Sequence, residues 1–280
     1  MIIDFHTHIA PPEFDLRREY LLSIDETFAE LYSDPNSKFV TVEELIQSMD
    51  LNGIDISVIM GMGWSDPGIA REFNDYIIES VKKYPARLAG FASTNPVWGS
   101  QSSKEIERCF NSGLIGVGEF HPDTQFFDLS DCKTMSPLME VVNSYDLIFN
   151  THSSEPVGHY YRGKGNTGPK TLWDFITTYP GTRIICSHWG GGLPFYSLMP
   201  EVKESFTNVY FDTATSPYLY SNEVFSIVTS LVGSKKILMG SDYPLIAPSR
   251  IIRDLQKSTL SSTEIKAITG TNAMSLLKLT

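Results

Sequence analysis

The chain begins with MIIDFHTH, residues 1–8. This segment predicts a short buried strand that starts almost at the first residue, because apolar side chains dominate its beginning. A signal peptide is not indicated, since no basic stretch precedes the apolar run and Asp4 interrupts it. His6 and His8 stand two residues apart at the end of this strand. Alternate side chains of an extended segment share one face, so both imidazoles can converge on one ion.

Similar apolar runs recur along the chain, and most are continuous rather than alternating. Such runs are typical of strands that are buried on both faces. Counting the first, eight candidate strands end near residues 6, 60, 93, 119, 152, 188, 212 and 242. The first two strand ends are far apart, but each later strand end follows the previous one by about 24 to 36 residues. This interval fits the roughly 30 residues of one βα unit.

Helical patterns separate these strands. Thr41 and Glu44 form a capping-box pattern at the start of a helix that Asn52-Gly53 ends, and Ser261 and Glu264 repeat the pattern near the C-terminus. The apolar spacing predicts helices over residues 42–52, 66–83, 104–110, 136–145, 170–179, 194–206, 221–232, 261–269 and 271–279.

We therefore predict an α/β fold, a (β/α)8 TIM barrel that forms a single domain over residues 1–280. The long first step makes residues 9–40 an insertion after strand 1, with a short helix, and a loop of this length is often a lid or pocket wall. An open doubly wound sheet is the alternative. Eight strands, the first of which begins near residue 2, favour the closed barrel.

Composition narrows the class of protein. The 280 residues carry 22 Lys and Arg against 33 Asp and Glu, a net charge of −11, which disfavours nucleic acid as a partner. No apolar run approaches the roughly 20 residues of a membrane span, so no membrane association is predicted. The three cysteines are widely spaced, which argues against a disulfide scaffold or a thiolate metal cluster and predicts a cytoplasmic protein.

Polar residues that can ligate a metal stand at the ends of five predicted strands. They are His6, His8, Glu119, His152, His188 and Asp242. In a TIM barrel the carboxyl ends of the strands meet on one face, where catalytic groups are found. Burying so many polar groups there without partners is costly, so the pattern predicts a metal site rather than unrelated strand ends.

Five motifs in this order resemble the amidohydrolase superfamily, and most closely its aminocarboxymuconate-semialdehyde-decarboxylase-like, amidohydrolase-related branch. They are Asp4-Phe-His6-Thr-His8, Thr151-His152, Ser187-His188-Trp-Gly-Gly-Gly192, Gly240-Ser-Asp242-Tyr-Pro244 and Gly270-Thr-Asn272-Ala273. The resemblance covers nearly the whole chain. It implies a metal-dependent TIM-barrel enzyme that acts on a small molecule, and it leaves a homo-oligomer open because members of the family are often oligomers.

The resemblance also implies a ligand set. His6, His8, His152 and Asp242 would hold a divalent metal, and His188 would act as a base beside it or bind a second ion. Some members have a carboxylated lysine at the end of strand 4, where this chain has Glu119. Glu119 is therefore either a further ligand or a hydrogen-bond partner of His8 or a loop amide. Nitrogen and oxygen ligands without thiolate favour Zn²⁺, while Mn²⁺, Fe²⁺, Co²⁺ and Ni²⁺ remain compatible.

The first functional hypothesis is hydrolysis of an amide, lactone or ester bond by a metal-activated water. Asp242 would then accept the proton of the water, and His188 would stabilise the oxyanion or orient the hydroxide. The alternative is non-oxidative decarboxylation of an unsaturated or aromatic acid, which a basic residue placed for the substrate carboxylate would favour. A metal-binding scaffold without turnover is a third interpretation, against which the additional acid–base group His188 argues.

Four further residues are candidate substrate contacts, and each has a structural alternative. Trp64 and Trp189 follow strands 2 and 6 and would line an apolar pocket, unless they pack against neighbouring loops. His121 follows Glu119 by two residues, so it points into the pocket or is a satisfied loop histidine. Arg162 lies in a glycine-rich rim loop, where it grips a carboxylate or is a solvated charge.

Overall fold

Eight parallel strands form the centre of the molecule in a computed structural model that describes residues 1–279. Their order in the sheet follows the sequence, β1 to β8, and each strand pairs with the next. The strands are β1 (Ile3–Thr7), β2 (Ile56–Ile59), β3 (Leu88–Ala92), β4 (Gly116–Phe120), β5 (Ile148–Thr151), β6 (Arg183–Cys186), β7 (Val209–Asp212) and β8 (Ile237–Leu238).

The sheet closes on itself between its first and last strands. The amide of Phe5 donates to the carbonyl of Met239 at 2.7 Å, and the amide of His8 donates to the carbonyl of Tyr243 at 2.8 Å. The predicted (β/α)8 TIM barrel is therefore confirmed, and the open doubly wound alternative is wrong. That residues 1–280 make up one domain stays a prediction.

Helices connect the strands along the outside of the barrel. They are α1 (Glu13–Leu16), α2 (Arg18–Ile24), α3 (Glu26–Tyr32), α4 (Val42–Asn52), α5 (Pro67–Lys83), α6 (Ser100–Asn111), α7 (Cys132–Ser144), α8 (Pro169–Thr178), the single turn α9 (Ser187–Gly190), α10 (Pro200–Glu204), α11 (Ser216–Leu219), α12 (Glu223–Val232), α13 (Pro248–Lys257), α14 (Ser262–Lys266) and α15 (Asn272–Leu276). Shorter 3₁₀ or π segments are Pro96–Trp98, Leu193–Leu198, Ser234–Lys236 and Ala267–Thr271.

Both predicted capping boxes are present. The Thr41 hydroxyl accepts from the amide of Glu44, whose carboxylate accepts from the amide of Thr41, and Ser261 and Glu264 repeat this exchange. Gly53 ends α4 in the left-handed region, at φ 68°, where a glycine carries no steric penalty.

Two helix predictions need correction, and one helix of ten residues was missed. The insertion at 9–40 forms three short helices, α1 to α3, rather than one. The helix predicted at 194–206 is divided into a 3₁₀ segment and α10, because Pro200 has no amide hydrogen for a continuous ladder and occupies the first turn of α10. Helix α13 was not predicted, although Ile251 and Leu255, four residues apart, form its buried face.

The barrel interior is apolar toward the amino ends of the strands and polar at their carboxyl ends. Ile3, Phe5 and Val58 pack inside it with side chains of later strands, and α15 covers this end of the barrel. A second apolar cluster fills the layer between the strands and the surrounding helices. Because α15 closes the amino end, the barrel interior is open at the carboxyl ends of the strands. Among residues 1–279, no helix has the length and apolar character needed to cross a membrane.

Candidate metal centre

Six side chains that were predicted to meet do converge at the carboxyl end of the barrel. His6 lies in β1 and Glu119 in β4, His8 and His152 directly follow β1 and β5, and His188 and Asp242 lie two and four residues after β6 and β8. All six lie within one group of mutual contacts, formed by His6, His8, Glu119, His152, His188 and Asp242. The barrel topology brings these residues together although they are spread over most of the chain.

One side of the cluster has the spacing of a coordination shell. The Nε2 atoms of His6 and His8 lie 3.0 Å apart, His6 Nε2 lies 3.4 Å from Glu119 Oε2, and His8 Nε2 lies 3.1 Å from Asp242 Oδ1. Ligands about 2.1 Å from a cation, at tetrahedral or octahedral angles, are about 3.0 to 3.4 Å from each other. Two further separations are wider, 3.7 Å from His6 Nε2 to Asp242 Oδ1 and 3.9 Å from His8 Nε2 to Glu119 Oε2. The closest pairs therefore have ligand-like spacing, around a space that suits a divalent cation.

The hydrogen bonds on the far side of each ring support the same conclusion. His6 Nδ1 lies 2.8 Å from a carboxylate oxygen of Asp212, and His8 Nδ1 lies 3.1 Å from the carbonyl of Met60. Both partners are acceptors, so each Nδ1 donates, and in the neutral ring each Nε2 keeps its lone pair. Two such lone pairs at 3.0 Å repel each other unless a proton or a metal ion lies between them.

The second oxygen of Glu119 faces the other pair of histidines. Glu119 Oε1 lies 3.2 Å from His152 Nδ1 and 3.2 Å from His188 Nε2. The second ring nitrogen of His152, Nε2, is buried and has no hydrogen-bond partner within residues 1–279. Glu119 thus contacts both halves of the cluster. Within residues 1–279 its carboxylate accepts no hydrogen bond from a loop amide, which was one alternative considered from sequence.

The charges of the cluster attract a cation. Burial opposes ionisation at each site, yet Asp212 and Glu119 raise the pKa of His6 well above its usual range, and Glu119 raises the pKa of His188 to about 9. Against the same burial, His6 holds the pKa of Glu119 well below its usual range, and His8 lowers that of Asp242 to about 2. The buried carboxylates of Glu119 and Asp212 and the partly exposed carboxylate of Asp242 therefore attract positive charge, which protons or a metal ion can supply.

Sequence reasoning missed two residues that orient the cluster. Asp212 ends β7, and its other oxygen accepts from the amides of His188 at 2.9 Å and Ala214 at 3.1 Å. Thr215 Oγ1 lies 2.7 Å from His188 Nδ1, which aims the Nε2 of that ring at Glu119. The signal for Asp212 was present, because it is a carboxylate at the end of a barrel strand. Thr215 belongs to a loop and carried no such signal.

A cavity of about 580 Å³ opens above the cluster. Its floor includes His8, Glu119, His152, His188 and Asp242. Its walls include residues 31–38, except for Ser33 and Pro35, and residues 161–163. The insertion after β1 therefore contributes a wall of the cavity.

The four candidate substrate contacts divide into two pairs. His121 and Arg162 line the cavity, and Arg162 donates to the hydroxyl of Ser33 across the rim. Trp64 and Trp189 do not line it, contrary to the first expectation. Trp64 packs against the rings of Phe14, Phe28 and Phe73, and Trp189 packs against Phe225 while its Nε1 donates to Ser216 Oγ at 2.7 Å.

A family model described as amidohydrolase matches residues 3–279. The chain belongs to the amidohydrolase family. It is 25% identical to the gamma-resorcylate decarboxylase of Polaromonas sp. (strain JS666 / ATCC BAA-500), over 75% of this chain and 76% of that relative. It is 22% identical to the 2-amino-3-carboxymuconate-6-semialdehyde decarboxylase of Dictyostelium discoideum, over 99% of this chain and 91% of the relative. This amidohydrolase thus resembles the decarboxylase-like branch that its motifs indicated.

Solved structures agree with the fold of this amidohydrolase. The 5-carboxyvanillate decarboxylase from Novosphingobium aromaticivorans DSM 12444, solved with manganese and a nitrobenzoic acid, superposes with a TM-score of 0.82. The alignment covers 100% of this chain and 96% of the solved chain at 18% identity, so the similarity supports the barrel architecture alone.

Replacing Glu119 by glutamine tests whether this residue belongs to the ligand set. Glutamine keeps the size of the side chain but removes its negative charge, so we expect metal affinity to fall about tenfold or more. The measurement is metal content after competition with a chelator. Glu72→Gln, which changes a carboxylate paired with Arg17 outside the cluster, should retain metal like the parent protein. Unchanged affinity in Glu119→Gln would reduce Glu119 to a hydrogen-bond partner.

Proposed function

We propose that this amidohydrolase is a metal-dependent, non-oxidative decarboxylase of a small aromatic or unsaturated carboxylic acid. The observation that carries the proposal is the activity named for its relatives, since three relatives that align over 75% or more of the chain are all decarboxylases. The comparisons therefore favour the decarboxylation alternative over the hydrolase that the sequence first suggested. The same cluster would also serve a hydrolase, so the choice needs a direct test.

The cavity suits such a substrate. Its volume is within the range of roughly 300 to 1,000 Å³ that is typical of small-molecule sites. Leu31, Met62 and Leu245 provide apolar wall for a ring or an unsaturated chain. Lys38 and Arg162 provide positive charge at the rim. A basic residue that can bind the substrate carboxylate was the feature expected to favour decarboxylation.

The ligand set proposed for the metal is His6, His8, His152 and Asp242, with Glu119 and His188 as further candidates. Zinc is the ion predicted from the ligand types, and manganese is equally compatible with nitrogen and oxygen donors. A bound divalent cation would supply positive charge that holds the oxygen atoms of the substrate and stabilises negative charge as it develops.

The reaction requires one proton at carbon. The bond between the substrate carbon and its carboxylate breaks, carbon dioxide leaves, the electron pair stays on that carbon, and a proton forms the new C–H bond. Asp242 and His188 are the acid–base groups that we propose for this proton. Both line the cavity, and the Asp242 side chain, 13% exposed, is more open to it than Glu119, which is 3% exposed.

A product assay separates the two chemistries. We expect the metal-loaded protein to release carbon dioxide from at least one acid in a panel of 2-hydroxybenzoate, 2,6-dihydroxybenzoate and muconate-type acids. In D₂O the product should carry one deuterium at the position of the lost carboxylate. Lactones and cyclic amides, assayed beside the acids, should stay intact. Ring opening of a lactone or amide without carbon dioxide release from any acid would instead establish the hydrolase.

A further inference from the structure

His121 is a buried polar side chain whose imidazole makes no hydrogen bond with any of residues 1–279. It follows β4, is 2% exposed and lines the cavity. Its Nδ1 is buried and finds no hydrogen-bond partner within residues 1–279. A buried polar group in this state is rare in folded proteins and calls for an explanation. His121 is therefore not a loop histidine whose ring nitrogens are both hydrogen-bonded, which was the alternative considered from sequence.

The ring is nevertheless held in one orientation. It stacks on the ring of His152, with centroids 4.1 Å apart and planes 19° apart. The backbone amide of His121 donates to Gln125 Oε1 at 2.9 Å, and Gln125 Nε2 in turn donates to the carbonyls of Trp64 and Thr94. Gln125 is fully buried. A rigid position with an unused polar edge is typical of a group prepared for a ligand.

The surroundings of the two ring nitrogens differ. Nε2 is directed toward Gly163, where a Cβ would lie 3.8 Å away, and Gly163 lines the cavity. Nδ1 points into protein without a partner. Buried N–H groups without partners are rarer than buried acceptors without partners, so the proton belongs on Nε2, where the cavity can offer an acceptor.

We propose that His121 binds the substrate by donating its Nε2 hydrogen to an oxygen of the acid, either a carboxylate oxygen or the oxygen of an adjacent ring hydroxyl. This inference rests on the proposed function for the class of substrate. His121 is then a specificity residue rather than a proton-transfer group. Its stacking on His152 places the bound oxygen close to the metal cluster.

The first test is binding of 2,6-dihydroxybenzoate to the zinc-loaded protein, measured by calorimetry and therefore independent of turnover. We expect His121→Phe, which keeps an aromatic ring for stacking but has no donor, to weaken binding about tenfold or more. His121→Gln retains an N–H donor and should recover part of the affinity. His159→Phe changes an exposed histidine and should bind like the parent.

Benzoate as a second probe identifies the oxygen. If His121→Phe weakens benzoate binding equally, the carboxylate is the acceptor, and if the loss occurs only with 2,6-dihydroxybenzoate, the hydroxyl is. Equal affinity of the parent protein and His121→Phe for both probes would overturn the proposal. It would also be overturned if the parent protein bound neither probe. Loss of metal from His121→Phe would also overturn it, because the residue would then act by supporting His152.

The tautomer provides a test that needs no ligand. Nitrogen NMR of the zinc-loaded parent protein, with the His121 ring assigned by comparison with His121→Gln, should show hydrogen on Nε2. Hydrogen on Nδ1 would contradict the proposal. Carbon dioxide release bears only on the proposed reaction, so a protein that binds the probes through His121 but does not decarboxylate them would refute the reaction and leave the binding role intact.

Discussion

Replacing His6 and His152 together by alanine should abolish retention of the divalent metal and lower turnover by about a thousandfold or more. The two rings stand on opposite sides of Glu119, since His6 Nε2 lies 3.4 Å from Oε2 and His152 Nδ1 lies 3.2 Å from Oε1. Their joint removal takes away half of the proposed ligand set of four. Activity that depends on metal-supplied charge should fall with it.

The barrel should survive this double change. Asp212 loses its 2.8 Å contact with His6 but keeps the backbone amides of His188 and Ala214 as donors, so its buried carboxylate is not left without partners. Helical circular dichroism and a cooperative thermal transition should therefore persist. Metal analysis after gel filtration measures the loss, and His159→Ala, which alters a histidine outside the cluster, is the matched control. Full metal content in the double variant would refute the assignment of the cluster as the metal site.

The strands were predictable because burial on both faces imposes a simple composition. A parallel strand inside a barrel needs an apolar run, and the runs that end near His6, Glu119, His152 and Asp212 correspond to β1, β4, β5 and β7. The gathering of polar residues was predictable for a related reason. Once strands are parallel and the sheet is closed, the residues at their carboxyl ends must meet, whatever their separation along the chain.

The surroundings of those residues were less predictable, because they depend on how loops fold back. Trp189 adjoins His188, yet the two side chains have different environments. Both residues adopt left-handed backbone angles, with φ values of 56° and 58°. In this turn the imidazole contacts Glu119 at the cavity floor, while the indole packs against Phe225 outside the barrel. The prediction that Trp189 lines the same pocket as His188 relied on their adjacency in sequence. The turn instead directs the two side chains to different places.

The orienting contacts are also beyond local sequence patterns. Met60 contributes a backbone carbonyl to His8, and any residue at that position would offer the same acceptor. Thr215 reaches His188 from a loop that follows a different strand. Such partners determine which nitrogen of each histidine faces the cluster, and hence whether the rings can act as ligands.

Asp242→Asn should lower kcat by about a hundredfold to ten-thousandfold, the range associated with loss of a positioned acid–base group. The amide cannot exchange a proton with the substrate carbon at neutral pH, although it retains the shape of the side chain. The fold should be undisturbed. The backbone amide of Asp242 donates to the carbonyl of His6 at 2.9 Å, and asparagine tolerates the left-handed φ of 66° at this position.

The two roles proposed for Asp242, ligand and proton carrier, separate in the same experiment. Asp242→Asn is assayed first as purified and then with excess Mn²⁺ or Zn²⁺, with metal content measured in both cases. Restoration of turnover along with metal would assign the residue to binding alone. Persistent loss in the fully loaded variant would assign it the proton, whereas normal turnover without added metal would exclude both roles.

Asp34→Asn is the matched control, because Asp34 also lines the cavity but its carboxylate bonds to Asn36 rather than to the cluster. Its kcat should match that of the parent protein. A fall like that of Asp242→Asn would mean that negative charge anywhere around the cavity matters. A difference between the two variants ties the effect to a carboxylate that contacts a histidine of the cluster as well as lining the cavity.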